Sequence, residues 1–142
     1  MGQRLRDQAE RDIQTAGRLL YPGTYYAAAN YAHQAAEKAL KAAFWHLRGE
    51  EPPWNHDLVK CASQVAQRTG GLPPTVEAAV EQLQPVFDES RYPSGNLSDP
   101  IPADLIGEED AWVAVRMAEE VLDWVQGLLQ QPPGKTRRKT SY

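Results

Sequence analysis

Apolar residues recur with the period of an α-helix along most of this chain, and the longest uninterrupted pattern covers residues 24–48. This stretch contains neither proline nor glycine and is rich in alanine, the strongest helix former. Its apolar positions are Tyr25, Ala28, Ala29, Ala32, Ala35, Ala36, Ala39, Leu40, Ala43 and Leu47. Alanine buries little area but lets neighbouring backbones approach closely, so the pattern predicts a long central helix that other helices contact on more than one side.

A line of polar residues follows the same predicted helix, at the spacing that places side chains on one face. It consists of Asn30, His33, Gln34, Glu37, Lys41 and Arg48. Two interpretations stay open: a solvated face on which Glu37 pairs with Lys41 one turn later, or a polar seam between helices or subunits. Because buried charged residues are rare, the spacing alone favours the solvated face.

Four further segments have a helical pattern, and none has the alternation of a β-strand. We predict these helices over residues 3–20, 56–68, 74–87 and 108–131. Residues 91–106 form a long segment rich in Pro, Gly, Ser, Asn and Asp, and a loop of this length in a small helical domain is often functional. The predicted fold is all-α, an up-and-down bundle of four or five helices.

Local signals indicate where these helices begin, end or bend. Thr24 and Asn55 are the expected N-caps of the second and third helices, and Gly49 is expected to end the second. Pro85 lies inside the fourth pattern, where it removes a backbone hydrogen bond, so we expect a kink or a break there.

Length and charge indicate one domain with a short basic tail. The 142 residues suffice for one hydrophobic core, and we assign the bundle to residues 1–131 and a flexible tail to residues 132–142. Residues 1–134 carry 19 acidic and 11 basic residues, whereas the tail has four basic residues and no acidic one. A body this acidic does not attract nucleic acid through its overall field, so an RNA contact would need a local basic patch or the tail.

The chain has no apolar run long enough to span a bilayer and no secretory signal at its first residues, which predicts a cytoplasmic protein. Its one cysteine, Cys61, lies on an apolar stripe and is expected to be a buried, inert thiol. His33 and Glu37 could share a metal ion, but the pattern offers no third ligand, so we expect neither a metal nor a cofactor. His46 is expected to be a surface or packing residue, and His56 to make a local hydrogen bond in the first turn of the third helix.

Several short motifs occur in an order and at a spacing that resemble one family. They are Tyr25 and Ala28, then Gln34, Ala35, Glu37, Lys38, Ala39 and Lys41, then Gly49 and His56-Asp57-Leu58, then Arg91-Tyr92-Pro93, and finally Glu109-Asp110-Ala111 and the run from Val121 to Val125. On these residues the chain resembles the HEPN domain, over roughly residues 3–130. The resemblance implies a helical bundle that forms a homodimer and often works with a small nucleotidyltransferase in toxin–antitoxin-like pairs.

Many HEPN proteins are metal-independent ribonucleases that use an Arg followed after four to six residues by a His. Here no His follows Arg91, and the nearest pair, Arg48 and His56, has seven residues between its members. The sequence therefore favours a non-catalytic binding or regulatory module of the RYP-containing subgroup, a partner of a nucleotidyltransferase that also binds nucleotide or RNA. Two alternatives stay open: a ribonuclease with the unconventional Arg48/His56 pair, and a dimerisation scaffold without a ligand.

The candidate ligand-binding residues are Arg91, Tyr92, His33, Glu37, Lys41 and Asn30. A guanidinium can grip a carboxylate or a phosphate with two parallel hydrogen bonds. We therefore predict that Arg91 turns back toward the central helix and bonds a carboxylate, with Glu37 as the first choice. Such a contact would leave a polar pocket near His33, Lys41 and Tyr92.

Overall fold

The computed structural model describes residues 1–21, 24–52, 56–91 and 95–132, and for residues 87–91 it describes the backbone alone. Within these ranges the chain forms six helices and no strand, which confirms the all-α class. The helices are α1 (Gly2–Leu19), α2 (Tyr25–Arg48), α3 (Leu58–Thr69), α4 (Pro74–Arg91), α5 (Pro102–Leu105) and α6 (Glu108–Leu129). The predicted tail lies outside the described residues apart from Pro132, so the domain boundary stays a prediction.

The helix α2 is the centre of the bundle, because it contacts each of the other five helices. Eight of its alanines are buried, and the neighbouring helices α1 and α6 pack most extensively against it. Leucine and valine side chains from α3, α4 and α6 complete the core, among them Leu58, Val80 and Val121. The expected central helix, contacted on several sides, is confirmed.

Most helices begin and end where glycine, proline and capping residues in the sequence predict. Gly49 and Gly70 adopt φ angles of 69° and 82°, the left-handed conformation that glycine adopts most easily, and they end α2 and α3. At the start of α6, the Gly107 N–H donates to Asp110 Oδ2 at 3.2 Å. Three acidic residues in this first turn also suit the positive end of the helix dipole.

Three local expectations need correction. The cap of α3 is Asp57, whose Oδ1 accepts from the Lys60 N–H at 3.1 Å, so the helix begins two residues later than predicted, while Asn55 lies outside the described residues. Thr24 is the N-cap of α2, but its side chain makes no capping hydrogen bond. At Pro85, where a kink or a break was expected, α4 does not break but continues to Arg91.

The segment predicted as a long loop contains one turn of helix, α5. Pro102 occupies the first position of this turn, where a missing backbone N–H costs nothing. Contacts of α5 with α4 and α2 hold this segment against the bundle, and Ile106 is buried where it joins α6. No helix in the described part of the chain is long and apolar enough to cross a membrane.

Candidate functional site: a buried polar cluster on the central helix

His33, Glu37 and Lys41 of the polar line on α2 are buried and Asn30, Gln34 and Arg48 are half-buried, so the interpretation as a solvated face is wrong. The exposed fractions are 0% for His33, 7% for Glu37 and 4% for Lys41. Helical spacing identifies residues that share a face but does not show whether that face meets water or another helix. Here that face packs against other helices of the bundle, so the polar line is a polar seam between helices.

Glu37 is the acceptor on which this seam is centred. Lys41 Nζ donates to Glu37 Oε2 at 2.9 Å, one turn along the same helix. The Nδ1 atom of His56 lies 3.1 Å from both carboxylate oxygens, and because a carboxylate only accepts, Nδ1–H is the donor. His33 Nδ1 lies farther away, 4.0 Å from Glu37 Oε1. We refer to His33, Glu37, Lys41 and His56 as the Glu37 cluster.

The charge state of Glu37 follows from two opposing effects. Burial raises the pKa of its carboxyl group, but the hydrogen bonds and positive charges of Lys41 and His56 together lower it by more, and the net result is a pKa below the usual value. Glu37 is therefore ionised at neutral pH and compensates the charge of Lys41 inside the bundle. This pairing explains how two charged groups can lie in the core.

His56 is the exposed member of the cluster, with 60% of its side chain accessible to water. It precedes the cap of α3, so the backbone entering this helix sets the position of its ring. The expected local hydrogen bond is therefore corrected to a long-range contact with Glu37. The spacing within the sequence does not reveal this contact, because it depends on how the connection between α2 and α3 folds back.

Two further polar contacts belong to α2. Gln34 Nε2 donates to Asn30 Oδ1 one turn earlier. Lys38 forms an ion pair with Asp12 of α1, which is 4% exposed and also accepts from Gln8 Nε2 at 2.9 Å. The sequence interpretation missed Asp12, although its position between Ala9, Ile13 and Ala16 on the apolar stripe of α1 was a signal of burial.

The structure does not test the predicted contact between Arg91 and Glu37. Arg91 is the last residue of α4, and its side chain lies outside the described residues, as does the whole of Tyr92. The helix that carries Arg91 does pack against α2. The contact therefore stays a prediction.

The remaining candidates have other roles or other partners. Arg48 lies over the Phe44 ring at 5.1 Å and pairs with Glu50 at 3.6 Å, whereas His56 contacts Glu37. His46 Nε2 lies 2.8 Å from the Gln131 carbonyl oxygen and so connects the ends of α2 and α6. Cys61 is buried, as predicted, and burial raises its pKa to about 11, which favours the neutral thiol at neutral pH. Within the described ranges, no three His, Cys, Asp or Glu side chains form a group that could hold a metal ion.

The fold and the cluster define a class of small helical bundle whose central helix carries a buried, charge-compensated polar group. The HEPN domain model matches residues 3–128, so the chain belongs to the HEPN domain family.

Two solved structures are similar over nearly their whole length. TT1696 from Thermus thermophilus has 26% identity and a TM-score of 0.79, and the match covers 90% of this chain and 98% of the other. ST0689, an archaeal HEPN homologue, has 26% identity and a TM-score of 0.69, with 91% and 98% covered. The comparison with curated proteins gave no match.

Proposed function

We propose that this protein is a non-catalytic binding or regulatory HEPN module, which pairs with a small nucleotidyltransferase in a toxin–antitoxin-like system and binds nucleotide or RNA. The observation that carries the proposal is the position of its three histidines. None follows an arginine by four to six residues, and each has a partner or place within the bundle. A module without the catalytic pair can still bind, because binding needs a partner surface and not a proton relay.

The seam on α2 supports a role in organising a ligand site. His33, Glu37 and Lys41 are too buried to touch a ligand directly, so they support the site from within. His56 is exposed and held by Glu37, which places an imidazole at the surface, and when this ring carries both protons its Nε2–H can donate to a phosphate oxygen. The sequence predicts that Arg91 and Tyr92 lie near the seam, where they would add a guanidinium and an aromatic ring to this region.

Co-purification with a nucleotidyltransferase is the direct test of this function. The tagged full-length chain is expressed in its own host and its partners are identified by mass spectrometry. We expect a small nucleotidyltransferase in nearly equimolar amount. A preparation that repeatedly lacks such an enzyme contradicts the partnership.

Ligand binding is tested separately with a fluorescent ATP analogue and a short single-stranded RNA. His56→Ala is expected to weaken binding, whereas His46→Ala, which removes an imidazole that bonds Gln131, is the matched control. Equal effects of the two substitutions, or no binding by the unaltered protein, would exclude a ligand site at the cluster.

One observation favours a second function, RNA cleavage. The contact of His56 Nδ1 with a carboxylate is an arrangement that orients an imidazole for proton transfer, with Nε2 as the atom that would accept the proton of a 2′-hydroxyl. The proposed partner in such a pair, Arg48, contacts Phe44 and Glu50 instead. Metal-free cleavage of RNA that disappears in His56→Ala would establish this alternative.

A further inference from the structure

A groove of about 600 Å³ lies on the outside of the bundle, between α4, α5 and α6. Its apolar wall includes Val86, Leu105, Val113 and Met117. Leu105 is 41% exposed, and the exposed apolar residue Ile101 precedes it on the same segment. An exposed apolar groove of this kind is typical of a surface that another polypeptide covers.

The rim of the groove is acidic. Glu109 and Asp110 line it, and Asp104 and Glu108 stand exposed next to lining residues in the sequence. A segment that fills the groove must therefore bring apolar side chains for the wall and basic side chains for the rim. Charge complementarity of this sort determines which partners approach and in which orientation.

A second copy of this chain fits less well, because where it exposes apolar and basic side chains together, as at Trp112 and Arg116 on α6 or Val59 and Lys60 on α3, only one large apolar side chain is exposed. Its exposed basic row is Arg4, Arg11 and Arg18, spaced at seven residues along α1. The large apolar side chains exposed in this region are Met1 and Tyr21, which lie at its opposite ends, so no exposed apolar row runs beside these arginines. The basic tail does not fit either, since Lys135 to Tyr142 contains one aromatic residue and no aliphatic anchor.

We infer that the α4–α5–α6 groove binds an amphipathic helix of the nucleotidyltransferase partner, with aliphatic residues at i, i+3 or i+4, and i+7 and with Lys or Arg on its flanks. Such a helix inserts its apolar face between α4 and α6 while its flanks meet the acidic rim. This inference rests on the proposed function for the identity of the partner, but the chemistry of the groove stands on its own residues.

The first experiment uses a fluorescent helical peptide of about 18 residues, with leucines at the stated spacing and lysines on both flanks. A second peptide has glutamate in place of each lysine. We expect the basic peptide to bind and the acidic one to bind at least roughly tenfold more weakly, with an affinity for the basic peptide that falls as salt rises. Equal binding of both peptides, or binding of neither, overturns the inference.

Variants locate the site. Leu105→Glu should reduce peptide affinity about tenfold or more because it places a charge in the apolar wall. Glu109→Lys should reduce it severalfold because it replaces a negative charge on the rim with a positive one. Leu97→Glu and Glu119→Lys are matched controls on exposed positions that do not line the groove, and both should bind as the unaltered protein does. Circular dichroism and melting temperature verify that each variant is folded. If Leu105→Glu does not fold, Glu109→Lys still tests the site.

The same variants are then tested in the complex with the co-purified nucleotidyltransferase. Loss of the complex in Leu105→Glu and Glu109→Lys but not in the controls supports the inference. If the complex tolerates both substitutions, the partner does not bind in the groove, while the proposed function stays intact. If the peptide binds but no nucleotidyltransferase is found, the proposed partner is wrong and the groove stands. If Leu105→Glu instead converts a dimer into a monomer, the occupant is a second copy and the inference fails.

Discussion

The ion pair between Glu37 and Lys41 is a test of how much a buried charge needs its partner. Lys41→Met leaves Glu37 in the core with the hydrogen bond from His56 still in place, and removing one member of such a pair costs about 3 kcal/mol of unfolding free energy. Replacing both residues, as Glu37→Met with Lys41→Met, should recover most of that loss, because no isolated charge is left behind. Urea denaturation of the single and double variants measures this, and a double variant as unstable as the single one would contradict the explanation.

Glu37 also predicts how stability depends on pH. Its pKa in the folded protein lies below the reference value of 4.5, because the hydrogen bonds from Lys41 and His56 outweigh burial. A carboxyl group with a lowered folded-state pKa contributes stability that is fully present above the unfolded-state value. This contribution is lost as the pH falls below about 4.5 and through the lower pKa of the folded state.

The measurement is a series of denaturation curves between neutral pH and the acid range. The unaltered protein should lose stability in that window more steeply than Glu37→Gln, since glutamine does not titrate. Asp7→Asn, at an exposed carboxylate, is the matched control and should keep the slope. Identical slopes for the unaltered protein and Glu37→Gln would show that another group controls acid stability.

The Cys61 thiol should react slowly with thiol reagents in the native state. Burial raises its pKa to about 11, so at neutral pH the side chain is a thiol, and the reactive thiolate is rare. A chromogenic disulfide reagent should react slowly with the folded protein and completely in denaturant. Rapid, stoichiometric reaction without denaturant would mean that the α3 surface opens readily.

At the scale of the helices, the start of α3 depends on one side chain. Asp57→Ala removes the acceptor for the Lys60 N–H and should lower the unfolding free energy by about 1 kcal/mol. Asp57→Asn keeps an acceptor oxygen and should cost much less. Thermal or urea unfolding compares the two, and equal losses would show that the charge of Asp57 matters more than its capping bond.

The sequence predicts helices best where residue chemistry leaves few alternatives. The ends of α2 and α6 follow from Gly49 and from the proline pair after Gln131, because both signals act locally. The predicted start of α3 was wrong because Asn55 and Asp57 are both good caps, and tertiary contacts decide between them. One such contact is the hydrogen bond from the Leu58 N–H to Gln84 Oε1 at 2.6 Å, which fixes the first turn of α3 against α4.

The candidate site was harder to predict than the helices. Glu37 and Lys41 were identified from their spacing, but the same spacing serves an exposed pair and a buried pair equally well. His56 joins them across 19 residues of chain, a distance at which local patterns carry no information. The burial of Glu37 and Lys41 therefore became visible only from the packing of α2 against its neighbours.

At the scale of the whole molecule, we predict a homodimer through helical faces. An alanine-rich helix offers more packable surface than one small bundle needs, and exposed aromatic residues such as Tyr26 and Tyr31 remain on α2. Light scattering at tens of micromolar should give about twice the 15.8 kDa mass of one chain. A monomer under these conditions would contradict the prediction.

The alanine-rich core has a thermodynamic consequence. Of the 30 buried apolar residues among those described, 15 are alanines, so the core brings many residues together while removing comparatively little hydrocarbon from water. The heat-capacity change of unfolding scales mainly with newly exposed apolar area, and it should be small for a protein of this length. Calorimetry should therefore record a shallow curve of stability against temperature, so that the bundle changes little in stability between cold and warm conditions.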